Sequence, residues 1–176
     1  MKERMDHVIN VLLFFILLIC VITDIKERKI YNKVIYPALL FTFIFHFTTH
    51  GWEGLSHSFL GFLIGFSLLL IPYFLGGMGA GDVKLLALIG ALKGSAFVFQ
   101  SFLYMSIIGA MIALAIILFR RGVLQSIVYY FASLKSGIRL PGGMSKGSLT
   151  ATYPYGVAIA LGATIRVMTE GNFPLW

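Results

Sequence analysis

Residues 76–94 read GGMGAGDVKLLALIGALKG, in which four glycines precede Asp82 and an apolar segment follows it. An ionisable side chain is costly at membrane depth and usually has a functional role where it occurs there. Glycine lets the backbone take positive φ values and approach another chain closely. Irregular backbone at that depth is tolerated where it is buried in protein or lines a wet cavity. The segment therefore predicts a functional site beside Asp82.

The composition is that of an integral membrane protein. Of the 176 residues, 59% are apolar and 12% are charged, with a mean hydropathy of +0.91, whereas soluble domains carry about 25% charged residues. The single cysteine, Cys20, lies in an apolar run, which excludes a disulfide framework and a cysteine zinc site. The net charge of +7 does not indicate a nucleic-acid partner, because basic residues between apolar spans are explained by membrane topology.

Six apolar segments are candidate membrane spans, since about 20 apolar residues cross a bilayer. The predicted fold class is an all-α integral membrane protein with a single polytopic domain over residues 1–176. Residues 123–134 are too short to span and are predicted to form a cytoplasmic interfacial helix. No small-residue cleavage site follows the first span, so we expect that span to be retained. The predicted spans are residues 8–23, 34–49, 55–75, 82–93, 96–119 and 150–168.

Basic residues indicate the orientation of these spans. If six spans alternate, ten lysines and arginines fall on the side of the loop after the first span, and four fall on the other side. Cytoplasmic loops carry the excess of basic residues. This prediction places both termini outside and the acids Asp24 and Asp82 at the cytoplasmic face of the cell membrane. The loop after the first span contributes Lys26, Arg28, Lys29 and Lys33.

Asp24 ends the first predicted span and Asp82 begins the fourth, so the two carboxyl groups are expected at the same membrane depth. Two adjacent carboxyl groups repel when both are ionised, so one holds a proton while the other stays ionised. Such a pair can activate a water molecule and protonate a leaving amine. An alternative remains open from spacing alone: Asp24 pairs with Arg28, and Asp82 caps the fourth helix.

Three segments carry a family resemblance. They are TDIKERKIYNKVIYP at residues 23–37, GAGDVKLLALIGALKG at residues 79–94, and TYPYGVAIALGA at residues 152–163. In this order they resemble the D-x-x-x-R-x-I-x-N, G-x-G-D and P-[FY]-G-x-A-x-A-x-G segments of the type IV prepilin peptidases. A G-x-G-D segment alone is weak, because presenilin-type proteases share it, but the three together extend from the first span to the last.

The resemblance implies a membrane aspartic endopeptidase that removes the short basic leader of prepilin-like proteins at the cytoplasmic membrane face. It implies Asp24 and Asp82 as the catalytic pair, and it implies no metal and no cofactor. The expected partners are prepilin-like substrates and the lipid bilayer. The residues expected to support the site or its substrate groove are Gly79, Gly81, Lys84, Pro154 and Gly156.

The loop between the first two spans is short and lacks the two cysteine pairs that larger bacterial members carry there. The chain is therefore similar to the compact members that serve tight-adherence pili or archaeal flagellin-like filaments. N-methyltransferase activity is not expected in this form. The sequence leaves the filament system and the oligomeric state open.

Two other interpretations compete with this one. A small proton- or cation-coupled transporter subunit would use the same acids as a relay, but it would need further polar groups deep in the spans, and few are found. His46, His50 and His57 near the outer ends of the second and third spans could bind a metal. The chain has no H-E-x-x-H segment and these histidines lie on the opposite side, so interfacial histidines are predicted instead.

Overall fold

A computed structural model of the chain describes residues 2–119 and 155–169, with side chains described in residues 7–115 and 155–169. This part is helical, without strands in those ranges, which confirms the all-α prediction. The predicted interfacial helix at residues 123–134 and Pro154 lie outside the described residues. The helices are α1 (Lys2–Glu27), α2 (Asn32–Phe74), α3 (Ala80–Lys93), α4 (Ser95–Phe119) and α5 (Tyr155–Thr169).

Helix α2 reverses direction at Gly51. This residue has φ +60° and ψ −141°, which is not helical. A straight helix would place residues 43 and 59 about 24 Å apart, yet the ring centroids of Phe43 and Phe59 are 6.3 Å apart. The two halves of α2 therefore pack side by side, and they contain the predicted spans 34–49 and 55–75.

Among the described residues, three helical segments are long and apolar enough to cross a membrane: His7–Glu27, Asn32–Phe74 and Ser95–Ala115. The first of these segments contains the predicted span 8–23, and the third contains most of the predicted span 96–119. Helices α3 and α5 have 14 and 15 residues, so each is roughly 21–23 Å long. The hydrocarbon core of a bilayer is about 30 Å thick, so crossings by residues 82–93 and 150–168 stay predictions.

Helix α3 is enclosed by protein along most of its length, and its residues from Asp82 to Leu92 are buried apart from Lys84. It packs against the second half of α2 at glycines. A Cβ atom at Gly65 would lie 2.5 Å from the carbonyl oxygen of Leu86. The Ser58 hydroxyl donates a hydrogen bond to the Ala91 carbonyl at 2.8 Å. This close backbone packing fixes α3, and with it the start of the helix at Asp82.

Helix α5 packs against both α1 and α3. Its first turn reaches the last turn of α1, and further along, a Cβ atom at Gly162 would lie 2.7 Å from the Met105 backbone nitrogen of α4. Residues 1–108 and 154–176 form one compact unit, and residues 109–153 form a second. These helix contacts all lie within the first unit; of the second, the structure describes residues 109–119, the last turns of α4.

The connection from α2 to α3 contains the glycines that precede Asp82. Gly76 has φ +74°, a conformation that favours glycine. Gly79 has φ −81° and ψ 151°, an extended conformation open to other residues, and it immediately precedes α3. Positive φ therefore explains the glycine at position 76. It does not explain the glycine at position 79, nor the one at position 81, which lies in the first turn of α3.

Candidate active site

Asp24 lies in the last turn of α1 and is 6% exposed. Helix α1 ends just beyond it, where Arg28 has φ +52° and its N–H donates to the Asp24 carbonyl at 2.9 Å. The Asp24 Oδ2 accepts a hydrogen bond from the Gly156 N–H at 2.9 Å. The first N–H groups of a helix lack partners within it and carry partial positive charge, so they stabilise a carboxylate. The start of α5 thus holds the Asp24 side chain.

Gly156 leaves no room for a side chain at this contact. A Cβ atom at position 156 would lie 2.7 Å from Asp24 Oδ2 and 3.1 Å from its Cγ. The glycine of the segment at residues 152–163 therefore has a physical reason. It lets a backbone donor approach the Asp24 carboxyl directly.

Asp82 lies in the first turn of α3 and is 8% exposed. Its Oδ2 accepts a hydrogen bond from the Gly79 N–H at 3.1 Å. This contact satisfies a donor at the start of the helix, as the alternative interpretation of Asp82 as a cap expected. It engages one carboxyl oxygen, Oδ2, so capping does not by itself exclude a role for Asp82 in chemistry.

Both carboxyl groups line one cavity of about 470 Å³. Two carboxyl groups that share a cavity disfavour the doubly ionised state. The cavity lies between the end of α1, the loop to α2, and the start of α3. Its other lining residues are Arg28, Lys29, Ile30, Tyr31, Asn32, Lys33, Gly79, Ala80 and Gly81.

Three basic residues that were interpreted as topology signals also line this cavity: Arg28, Lys29 and Lys33. They give the cavity wall positive charge next to the two acids. All three follow Asp24 within nine positions. Arg28 is also the arginine of the D-x-x-x-R-x-I-x-N segment and a possible partner of Asp24, whereas topology was the only reason that the sequence offered for Lys29 and Lys33.

Gly81 contacts the loop between α1 and α2, and Lys84 contacts the start of α2. A Cβ atom at Gly81 would lie 2.9 Å from Ile30 Cβ and 3.5 Å from the Ile30 carbonyl oxygen. The Lys84 ammonium donates to Asn32 Oδ1 at 3.0 Å, and it lies 5.2 Å from the centroid of the Tyr36 ring. Ile30 and Asn32 are the isoleucine and asparagine of the D-x-x-x-R-x-I-x-N segment, but the motifs gave no sign that this segment touches the G-x-G-D segment.

The histidines lie away from the acids. His46 Nε2 is 3.2 Å from the carbonyl oxygen of Leu92, near the end of α3 opposite to Asp82. Ten residues of helix place these ends on the order of 15 Å apart. Gly94, which follows α3, leaves space for the ring of His57. This end of the molecule is therefore separate from the cavity of the two aspartates.

The family described as the type IV leader peptidase family matches residues 11–114 of the chain. The match covers more than half of the sequence and includes both aspartates. The segment at residues 152–163 lies beyond it. No curated protein and no solved structure shows a significant match to the chain.

Proposed function

The chain belongs to the type IV leader peptidase family, and we propose that this protein is an aspartic endopeptidase that removes the short basic leader from prepilin-like proteins. The observation that carries the proposal is the cavity that Asp24 and Asp82 share. The family supports peptidase activity on prepilin-like substrates in general. The proposal adds the two aspartates as the catalytic pair, and it is favoured over a transporter subunit by that family membership.

In this mechanism a water molecule lies between the two carboxyl groups. The ionised carboxyl removes a proton from the water as its oxygen attacks the scissile carbonyl carbon. The protonated carboxyl donates its proton to the carbonyl oxygen, which gives a neutral tetrahedral intermediate. Collapse of that intermediate breaks the C–N bond and returns a proton to the leaving amine. No covalent bond to the protein forms, and no metal or cofactor enters any step.

The surroundings of the carboxyl groups support this chemistry. Each accepts a backbone N–H, Asp24 from Gly156 and Asp82 from Gly79, so both side chains are oriented before substrate arrives. Such preorganisation supplies much of the advantage of holding reactants together. The cavity volume of about 470 Å³ lies within the range of small-ligand sites. It accommodates a short peptide segment with its attacking water.

The membrane placement is part of the proposal. Ten of the 14 basic residues fall on one side if six segments cross the bilayer, which supports a cytoplasmic site with both termini outside. Within the family, the short loop at residues 28–31 supports a compact form similar to the peptidases of tight-adherence pili or archaeal flagellin-like filaments. A prepilin-like substrate reaches such a site from the cytoplasm.

The test is replacement of each acid by its amide. Asp24→Asn and Asp82→Asn should each reduce leader removal from a co-expressed prepilin-like protein by on the order of 100-fold or more, because an amide of the same shape cannot transfer the proton. Processing is measured by the gel shift of the substrate, and the membrane fraction is measured for each variant. Glu53→Gln is the matched control, because Glu53 is exposed beside the reversal in α2. Full processing by either Asp variant would remove that residue from the catalytic pair.

A further inference from the structure

The two segments that carry the acids touch each other at two places. Ile30, six residues after Asp24, lies against Gly81, which immediately precedes Asp82. Asn32, the first residue of α2, accepts the hydrogen bond of Lys84 at 3.0 Å. The chain that follows α1 is thereby attached to the start of α3 at two positions.

The contact at Gly81 leaves no room for a side chain. A Cβ atom there would lie 2.9 Å from Ile30 Cβ, well inside the 3.5–4.0 Å at which carbon atoms attract. The neighbour is the Cβ of Ile30 rather than the end of its side chain, so a rotamer change cannot relieve the overlap. Any side chain at position 81 must therefore displace the loop backbone from α3.

The loop cannot absorb such a displacement locally, because it is held at both ends. The Arg28 N–H donates to the Asp24 carbonyl at 2.9 Å, and the Tyr31 carbonyl accepts from the Val34 N–H at 3.0 Å. These bonds join the loop to the last turn of α1, where Asp24 lies, and to the first turn of α2. A shift of Ile30 away from Gly81 is therefore transmitted to the end of α1.

We propose that Ile30 is a positioning residue, which by packing against Gly81 sets the separation of the Asp24 and Asp82 carboxyl groups. The Asn32–Lys84 hydrogen bond is a second contact that holds the chain after α1 against α3. This role rests on the proposed function of the two acids. It differs from the interpretation of Gly81 as the floor of a substrate groove, because in this role the close approach serves the protein's own loop.

The two interpretations predict different kinetics. For the full-length protein in detergent micelles, Gly81→Ala should lower kcat on the order of 100-fold, since a misplacement of about 1 Å can cost that much. KM should stay within about twofold, because substrate contacts are kept. The substrate is a fluorogenic peptide made of a short basic leader, a glycine and the first part of an apolar helix. An obstructed groove would raise KM instead.

The decisive variant is the double substitution Gly81→Ala with Ile30→Gly. It removes the Cβ that the new methyl group would meet, so it should recover about tenfold of the lost kcat, although Ile30→Gly alone should lower kcat. Such non-additivity is the mark of residues in contact. Gly109→Ala is the matched control, because a Cβ atom at position 109 meets nothing within 4 Å. Thermal unfolding of each variant separates lost positioning from lost folding.

The Asn32–Lys84 hydrogen bond provides an independent test of the positioning role. Asn32→Ala and Lys84→Ala should each lower kcat several-fold. The kcat of the double variant should be no lower than that of the less active single variant, because the two residues act through one contact. If Lys84 instead bound an anionic group of the substrate, Lys84→Ala would raise KM and the two effects would add.

The outcomes separate the two proposals. Cleavage of the peptide by the wild type, with no recovery in the Gly81→Ala, Ile30→Gly double variant, would overturn the positioning role and leave the proposed function standing. Absence of cleavage by the wild type would overturn the proposed function, and the positioning role with it. Recovery of kcat at constant KM supports both.

Discussion

At the scale of single residues, the site depends on glycines, whose lack of a side chain lets other groups approach closely. The Asp24 carboxyl receives its hydrogen bond from a backbone group 132 positions away, and that approach requires a glycine at position 156. Gly81 plays the equivalent part beside Asp82, where the loop backbone near Ile30 fills the space. Each of the two carboxyl groups therefore has a glycine nearby that lets another part of the protein pack closely.

Gly156→Ala should separate activity from folding. Its methyl group would lie 2.7 Å from Asp24 Oδ2 and displace the carboxyl, so we expect kcat to fall on the order of 100-fold. Stability should change little, since alanine favours the helix that begins there. The measurement is the cleavage rate per unit of folded protein.

Gly162→Ala on the same helix supplies the opposite case. The nearest neighbours of a Cβ atom there would be Met105 and Ser101 in α4, not either aspartate. This variant should unfold at a lower temperature and keep its cleavage rate per folded molecule. Equal activity of Gly156→Ala and wild type would show that the contact with Asp24 is dispensable.

At the scale of elements, α3 is buried like a core helix although it is short. Its apolar side chains pack against α2, α1 and α5, so most of its surface contacts protein. Glycines on the second half of α2 allow the two backbones to approach closely, as small residues do at helix interfaces in membranes. A rigid α3 holds Asp82 in place, because the acid belongs to its first turn.

Gly61→Ala tests this packing. A Cβ atom at Gly61 would overlap the backbone of Gly90, and overpacking of this kind typically costs about 1–3 kcal/mol. We expect a lower unfolding temperature in detergent micelles, followed by circular dichroism. Gly109→Ala, on the open face of α4, should be neutral or stabilising by up to about 1 kcal/mol. Coincident unfolding curves for the two variants would contradict close packing of α2 on α3.

At the scale of the whole molecule, charge and apolar length act together. The described helices include three segments able to cross a membrane, and the reversal at Gly51 turns one of them into two antiparallel halves. The α1–α2 loop and the tip of α2 then lie at opposite ends of these helices. The basic loop is expected in the cytoplasm and the tip outside.

Cysteine labelling in vesicles checks this orientation. Cys20 is 1% exposed, so polar reagents should react with introduced cysteines in preference to it. Trp52→Cys, at a position 76% exposed beside Gly51, should react with a membrane-impermeant maleimide in right-side-out vesicles. Lys26→Cys, at the end of α1, should react in inside-out vesicles. The reverse pattern would contradict a cytoplasmic site.

The membrane class, the helical fold and the candidate acids could all be predicted from the amino-acid sequence. The length of an apolar run is a local property of the sequence. So is the free-energy cost of placing Asp24 or Asp82 beside such a run, and both can be assessed without a structure. The reversal between the second and third predicted spans also followed from local composition, because polar residues and Gly51 interrupt the apolar run there.

The contacts between distant residues became visible in the folded chain. The motifs contained Ile30, Gly81 and Gly156, but they did not indicate that Ile30 contacts Gly81 or that Gly156 donates a hydrogen bond to Asp24. The sequence explained Lys29 and Lys33 by topology alone, although both line the cavity. These contacts join positions up to 132 residues apart, and they depend on how closely α1, α3 and α5 pack. Packing at that distance is set by the fit of whole helices, which no local pattern of residues records.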